Sequence, residues 1–164
     1  MNIDFIVANG NTGTIWQGDR YCSLTLGSRF DVVVCCESDF QPPNGYYGPN
    51  TKIVYAPNHD DKLSPQAIQI ATRAGREIAY AYSQGRKILV ICHEGRNRSG
   101  LVTALGLHMF YGITGKRAAD IVIRRRISSK DPALTNPYFM EYLNKLPKRE
   151  TRYIEKVVQR RIVA

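Results

Sequence analysis

No stretch of this 164-residue sequence approaches the roughly 18 consecutive apolar residues of a membrane-spanning helix. The opening Met1-Asn2-Ile3-Asp4 is not the basic start and long apolar run of a secretory leader. Together these absences point to a soluble, cytoplasmic chain. Cysteine is scarce, and Cys22, Cys35, Cys36 and Cys92 include no C-x-x-C pair, which argues against a zinc site. Neither a metal nor a cofactor is expected. Repeats and low-complexity segments are missing too, and the length suits one domain, 1–164, able to bury roughly 70 per cent of its unfolded surface. Acidic residues are outnumbered, 14 against 23 basic ones, for a net charge of +9.

What is present is concentrated in Cys92-His93-Glu94-Gly95-Arg96-Asn97-Arg98-Ser99-Gly100. The run before it, Lys87 to Ile91, is short, apolar and mostly β-branched, as a buried strand is. The run after it, Gly100 to Tyr111, places Leu101, Ala104, Leu105 and His108 at helical spacing without a proline. A strand feeding a helix through a tight turn creates an anion site, because the first amides of the helix lack intrahelical partners and its N-terminus carries about half a positive charge. Gly95 allows a positive φ or a close backbone approach. Arg98 adds a planar fork for two phosphate oxygens. His93, Glu94, Gly95, Arg96 and Asn97 complete the expected phosphate-binding loop. The same positive groups lower the pKa of a thiol, which makes Cys92 a nucleophile able to form a phosphocysteine that water then hydrolyses. Ser99 is placed to hydrogen-bond the sulfur as it leaves. The plainer alternative for Cys92 is a buried structural cysteine at a strand end.

With Arg126, Asn136, Phe139 and Leu143 downstream, this loop resembles the dual-specificity branch of the protein tyrosine phosphatase superfamily, over about Thr14 to Leu146. Low-molecular-weight tyrosine phosphatases and arsenate reductases share a Cys-x5-Arg loop near the chain start, whereas ninety-one residues precede this one. The resemblance implies a substrate that is a phosphorylated protein, at tyrosine, serine or threonine, or another phosphate ester. It also implies an aspartic acid on a separate loop about thirty residues upstream that protonates the leaving oxygen. Asp60, 32 residues before Cys92 with Pro57 three before it, fits that role. Asp61 is the alternative, and both suit a solvated turn. One position departs from the pattern: Ile91 stands where relatives place a histidine. A phosphate-binding module without turnover draws on that departure. Asn97-Arg98 is similar to RNA 5′-triphosphatases of the same superfamily, although Glu94 stands where those tend to have histidine; a phosphoinositide is a further alternative substrate. Some relatives protect the thiol by a disulfide, for which Cys35 and Cys36 are the candidates here.

The patterning predicts strands at Asp4–Ala8, Thr14–Trp16, Asp31–Cys35, Lys52–Tyr55 and Lys87–Ile91. Helices are expected after Ser64-Pro65 up to Gly85, from near Thr114, after Asn136-Pro137, and from Arg149 to Val163. The loop Gln41 to Asn50 is irregular. The fold class expected is a single α/β domain, with a central, mostly parallel sheet of about five strands flanked by helices, phosphatase-like. Charge is uneven: residues 1–60 hold only Arg20, Arg29 and Lys52 as cations, while the last third, including Arg117, Arg124, Arg125, Arg126, Lys145, Lys148 and Arg149, is strongly basic. The segment 147–164 is expected to be a basic helix. Such a region is a solvated surface or a site for a polyanionic ligand.

Overall fold

The computed structural model describes residues 1–10, 12–127 and 132–149. Five strands, β1 (Ile3–Ala8), β2 (Thr14–Asp19), β3 (Val32–Glu37), β4 (Lys52–Asn58) and β5 (Lys87–Cys92), form one sheet in the order β1-β2-β5-β3-β4. Only β1 and β2 pair antiparallel; the other pairs are parallel. The central position of β5 explains its sequence, because a strand covered on both faces needs a nearly continuous apolar run, and Ile88 to Cys92 are all buried. Pro57 is tolerated because β4 lies at the sheet edge, where a missing N–H costs no ladder bond.

The helices are α1 (Arg20–Leu26), α2 (Pro65–Ser83), α3 (Arg98–Tyr111), α4 (Gly115–Arg125) and α5 (Pro137–Asn144). They are distributed unequally. One face of the sheet carries Ile15, Val34, Cys36, Val90 and Cys92 against Ile78 and Tyr82 of α2, Leu101 and Leu105 of α3, Val122 of α4 and Phe139 of α5. The opposite face packs Val33, Cys35, Leu89 and Ile91 against Cys22 of α1 and Tyr47 of the loop between β3 and β4. Every residue of α3 from Ser99 to Met109 is buried, so this helix is the core of its layer. It approaches α2 closely enough that a Cβ on Gly106 would press into Ile78. Truncating Ile78, itself fully buried, to alanine would cost about 2–5 kcal/mol.

Among the described residues the expected sheet and helices are present, with three differences. β2 runs on to Asp19 because Gly18 and Asp19 stay in register with Ile91 and Cys92. The short α1 follows immediately and has no expected counterpart: in seven residues it leaves Tyr21 and Leu24 half exposed, so it lacks an apolar stripe. Its start is set by Asp19, whose Oδ1 accepts the Cys22 N–H at 2.7 Å. Third, Arg126 is no surface cation, being 3 % exposed. The helix expected from Arg149 to Val163, and with it most of the basic segment 147–164, lies outside the described residues. No described helix is long and apolar enough to cross a membrane.

Candidate active site

The site gathers where the parallel strands end. β5 terminates at Cys92, the chain turns through 93–97, and α3 begins at Arg98. Gly95 makes the turn possible: its φ is +67°, and a Cβ there would collide with the backbone of Gly18 and Asp19 at the end of β2. The Gly95 carbonyl is held by two donors, Gln17 Nε2 at 3.0 Å and Arg126 Nε at 2.9 Å. Arg126 also donates to the Gln17 carbonyl at 3.3 Å and to Asp4. A buried ion pair between β1 and the end of α4 thus supports the turn from behind.

The predicted residues fall into three groups. Cys92 is nearly buried, and its sulfur lies 3.3 Å from the Ser99 hydroxyl in the first turn of α3. Arg98 is half buried, and its Nε is enclosed with no hydrogen-bond partner among the described residues. Burying a charged donor unmatched is costly, and an anion in the turn would satisfy it. The N-terminus of α3 is open in the same sense, since Asn97 makes no side-chain cap bond.

The intervening side chains turn toward other parts of the protein. His93 Nδ1 lies 3.2 Å from Oε1 of the buried Glu37, which also pairs with Arg20 at 3.3 Å. The His93 ring meets Tyr21 edge-on. Glu94 is exposed and pairs with Arg96 at 3.2 Å. Arg96 further donates to the Pro132 carbonyl and to the Thr135 hydroxyl, each at 3.3 Å. Asn97 accepts the Thr135 N–H at 2.8 Å and donates to Asp60 Oδ2 at 2.9 Å.

Asp60 therefore lies at the rim of the loop, brought there from the turn after β4. Its second oxygen accepts from Asn136 Nδ2 at 2.8 Å. Asp61 is turned into its own backbone, accepting the Lys62 N–H at 2.7 Å. A shallow pocket of about 300 Å³ lies here, lined by Asp60, Asp61, Asn97, Thr135, Asn136, Pro137 and Tyr138. Sequence reading placed Asn136 at a helix start, which it is, its Oδ1 capping α5 through Tyr138 N and Phe139 N. The grip on Asp60 by its other side-chain atom carried no sequence signal. Gln17, Asp4, Thr135 and Glu37 were missed for the same reason, their partners being distant in the chain.

All four cysteines are free. Cys36 shares the Cys92 side of the sheet, while Cys35, in register with Ile91, faces the other way. Burial pushes the Cys35 thiol up to about 12 and the Cys36 thiol well above its usual range, the latter also by the nearby Cys92.

At the level of sequence, no protein-family model and no curated protein matches this chain. Solved structures do match in fold. Tk-PTP in its active form is 23% identical with a TM-score of 0.66, covering 89% of this chain and 97% of its own. Human DUSP28 is 18% identical with a TM-score of 0.66, covering 94% and 95%. A human tyrosine phosphatase-like serine/threonine/tyrosine-interacting protein is 16% identical with a TM-score of 0.64, covering 99% and 98%. The single α/β domain seen here thus has the fold of the dual-specificity and tyrosine phosphatases.

Proposed function

We propose that this chain is a cysteine-dependent phosphatase of the dual-specificity type, hydrolysing phosphate monoesters, with phosphorylated proteins as the substrate class. The observation that carries the reading is Asp60 seated against the loop that holds Cys92 and Arg98, through its 2.9 Å bond to Asn97. Binding a phosphate needs only the loop; a carboxyl at its rim is needed when a leaving oxygen must be protonated, a contribution of about 10² to 10⁴ in rate.

In the reaction, the Cys92 thiolate attacks phosphorus in line, the ester bond breaks, and the leaving oxygen takes the Asp60 proton. Arg98 and the loop amides hold the equatorial oxygens in both steps. Water then attacks the phosphocysteine, the Asp60 carboxylate takes its proton, and the departing sulfur receives a hydrogen bond from Ser99. With the side chains of His93, Glu94, Arg96 and Asn97 committed to protein partners, the loop contributes mainly backbone to the phosphate. That commitment favours a monoester over an RNA 5′-triphosphate, since Asn97, the residue that prompted the RNA reading, is occupied by Asp60 and Thr135. The fold alone does not decide turnover, because one matching structure is of a protein described as phosphatase-like and interacting. The thiol, the guanidinium and the docked acid support turnover despite Ile91. A free catalytic thiol also suits a reducing, cytoplasmic setting.

The test is a panel of phosphotyrosine, phosphoserine and phosphothreonine peptides, a phosphoinositide and triphosphate-ended RNA, with wild type and Cys92→Ser. Release from the peptides that vanishes in the variant supports the proposal; release only from RNA, or none at all, defeats it. On the same reading, mild peroxide joins Cys92 reversibly to Cys36 rather than to Cys35, as neighbouring strands about 4.8 Å apart permit. Peptide mapping that finds only over-oxidised Cys92 would refute that disulfide.

A further inference from the structure

Asn97 occupies the N-cap position of α3, yet its side chain does not cap the helix. It faces two separate chain segments instead. Its Oδ1 accepts the backbone N–H groups of Thr135 at 2.8 Å and Asn136 at 3.3 Å, and also the Thr135 hydroxyl at 3.3 Å. Its Nδ2 donates to Asp60 Oδ2 at 2.9 Å. The backbone donors fix which way the carboxamide points: the oxygen must face 135–136, so the NH₂ must face Asp60. Asn136 completes the arrangement with its own NH₂ on Asp60 Oδ1.

We infer that Asn97 is a positioning residue that holds the Asp60 carboxyl against the phosphate loop, oriented toward the leaving group. The inference rests on the reading of Asp60 as the general acid. Its physical basis is the choice of partner. A side-chain NH₂ has hydrogens to give and no lone pair to offer. Gripped by two such groups, a protonated Asp60 keeps its orientation but finds in neither an acceptor for its O–H. Neither grip competes with the substrate oxygen for the proton. Because Asn97 immediately precedes Arg98, the tie also fixes the acid relative to the guanidinium that would hold the phosphate. Misplacing a catalytic group by about 1 Å can cost on the order of 10² in rate.

The experiment compares wild type, Asn97→Ala, Asn97→Ser and Asp60→Asn on p-nitrophenyl phosphate, whose leaving group needs little protonation, and on phenyl phosphate, whose leaving group needs much. Asn97→Ala is expected to lose about 10-fold or more in kcat on phenyl phosphate and less than about 3-fold on p-nitrophenyl phosphate, with KM for both within about 2-fold. Asn97→Ser, which disturbs the turn less, should show the same selectivity. In an Asp60→Asn background, Asn97→Ala should add less than about 2-fold, because the group it positions is already gone. Equal losses on both esters, or a full multiplicative loss in the Asp60→Asn background, would overturn the inference. If Asp60→Asn is selective for phenyl phosphate and the Asn97 variants are not, only the role of Asn97 fails. If Asp60→Asn shows no selectivity, the acid assignment falls and takes this inference with it.

Discussion

Two arginines flank the turn between β5 and α3, and they have been treated in opposite ways. Arg126, behind the turn, is sealed in and held by an acid: its Nε donates to Gly95 and its Nη1 to Gln17 and to Asp4. Arg98, in front, has a buried Nε with no partner among the described residues. The helix starts repeat the contrast. Asp19, Ser64, Thr114 and Asn136 each cap a helix with a side-chain oxygen, whereas α3 begins without such a cap. The rear wall of the site gains stability from a buried ion pair and the carbonyls it grips. The front wall forgoes it, and the unmet donors are what an incoming phosphate would meet.

The contrast can be broken by exchanging the effects of the two residues. Arg126→Ala removes one half of a buried ion pair and should cost about 3–5 kcal/mol of folding free energy in urea. Arg98→Ala should leave that free energy within about 1 kcal/mol, yet lower turnover of p-nitrophenyl phosphate by about 10² to 10³, the usual cost of losing a donor to the transition state. If Arg98→Ala unfolds the protein while Arg126→Ala folds normally but is inactive, the two walls have been assigned the wrong way round.

A smaller effect concerns His108, far along α3 from the site. Burial lowers its pKa below the usual 6.5, although its hydrogen bond to the Ile113 carbonyl opposes the shift and Arg149 adds to it. A depressed folded value means that the neutral ring is the native form. Its contribution to stability is complete above pH 6.5 and declines as the pH falls toward the lowered value. Thermal unfolding at pH 7.5 and 5.5 should show this decline in wild type, and a flatter profile in His108→Gln. An unchanged profile would show that the buried imidazole is not a source of acid sensitivity.

The front wall was more legible in the sequence than the rear. Cys92, Gly95, Arg98 and Ser99 fall within one stretch of eight residues, between a strand and a helix whose own periodicity predicts them. Asp60 could be reached only through resemblance and spacing, since one Asp in a turn carries no pattern of its own. Arg126 and Asn136 belonged to the resemblance, but what they touch was invisible: Arg126 meets Asp4 from 122 residues away, and Asn136 meets Asp60 from 76. Such pairs are created by the winding of the sheet, and no local rule encodes them. The helix α1 escaped for a different reason, its seven residues being too few to display a period. The unequal layering was equally hidden, because an unbroken apolar run such as Val32 to Cys36 of β3 does not say which covering lies on which side.

The central claim is that Cys92 takes the phosphoryl group. Mixing the enzyme with excess p-nitrophenyl phosphate, quenching in acid within the first turnovers and mapping peptides by mass spectrometry tests it directly. The account predicts a phosphoryl group on Cys92 in wild type and neither phosphoenzyme nor turnover in Cys92→Ser. Turnover that survives in Cys92→Ser, or a phosphoryl group on any other residue, would contradict it.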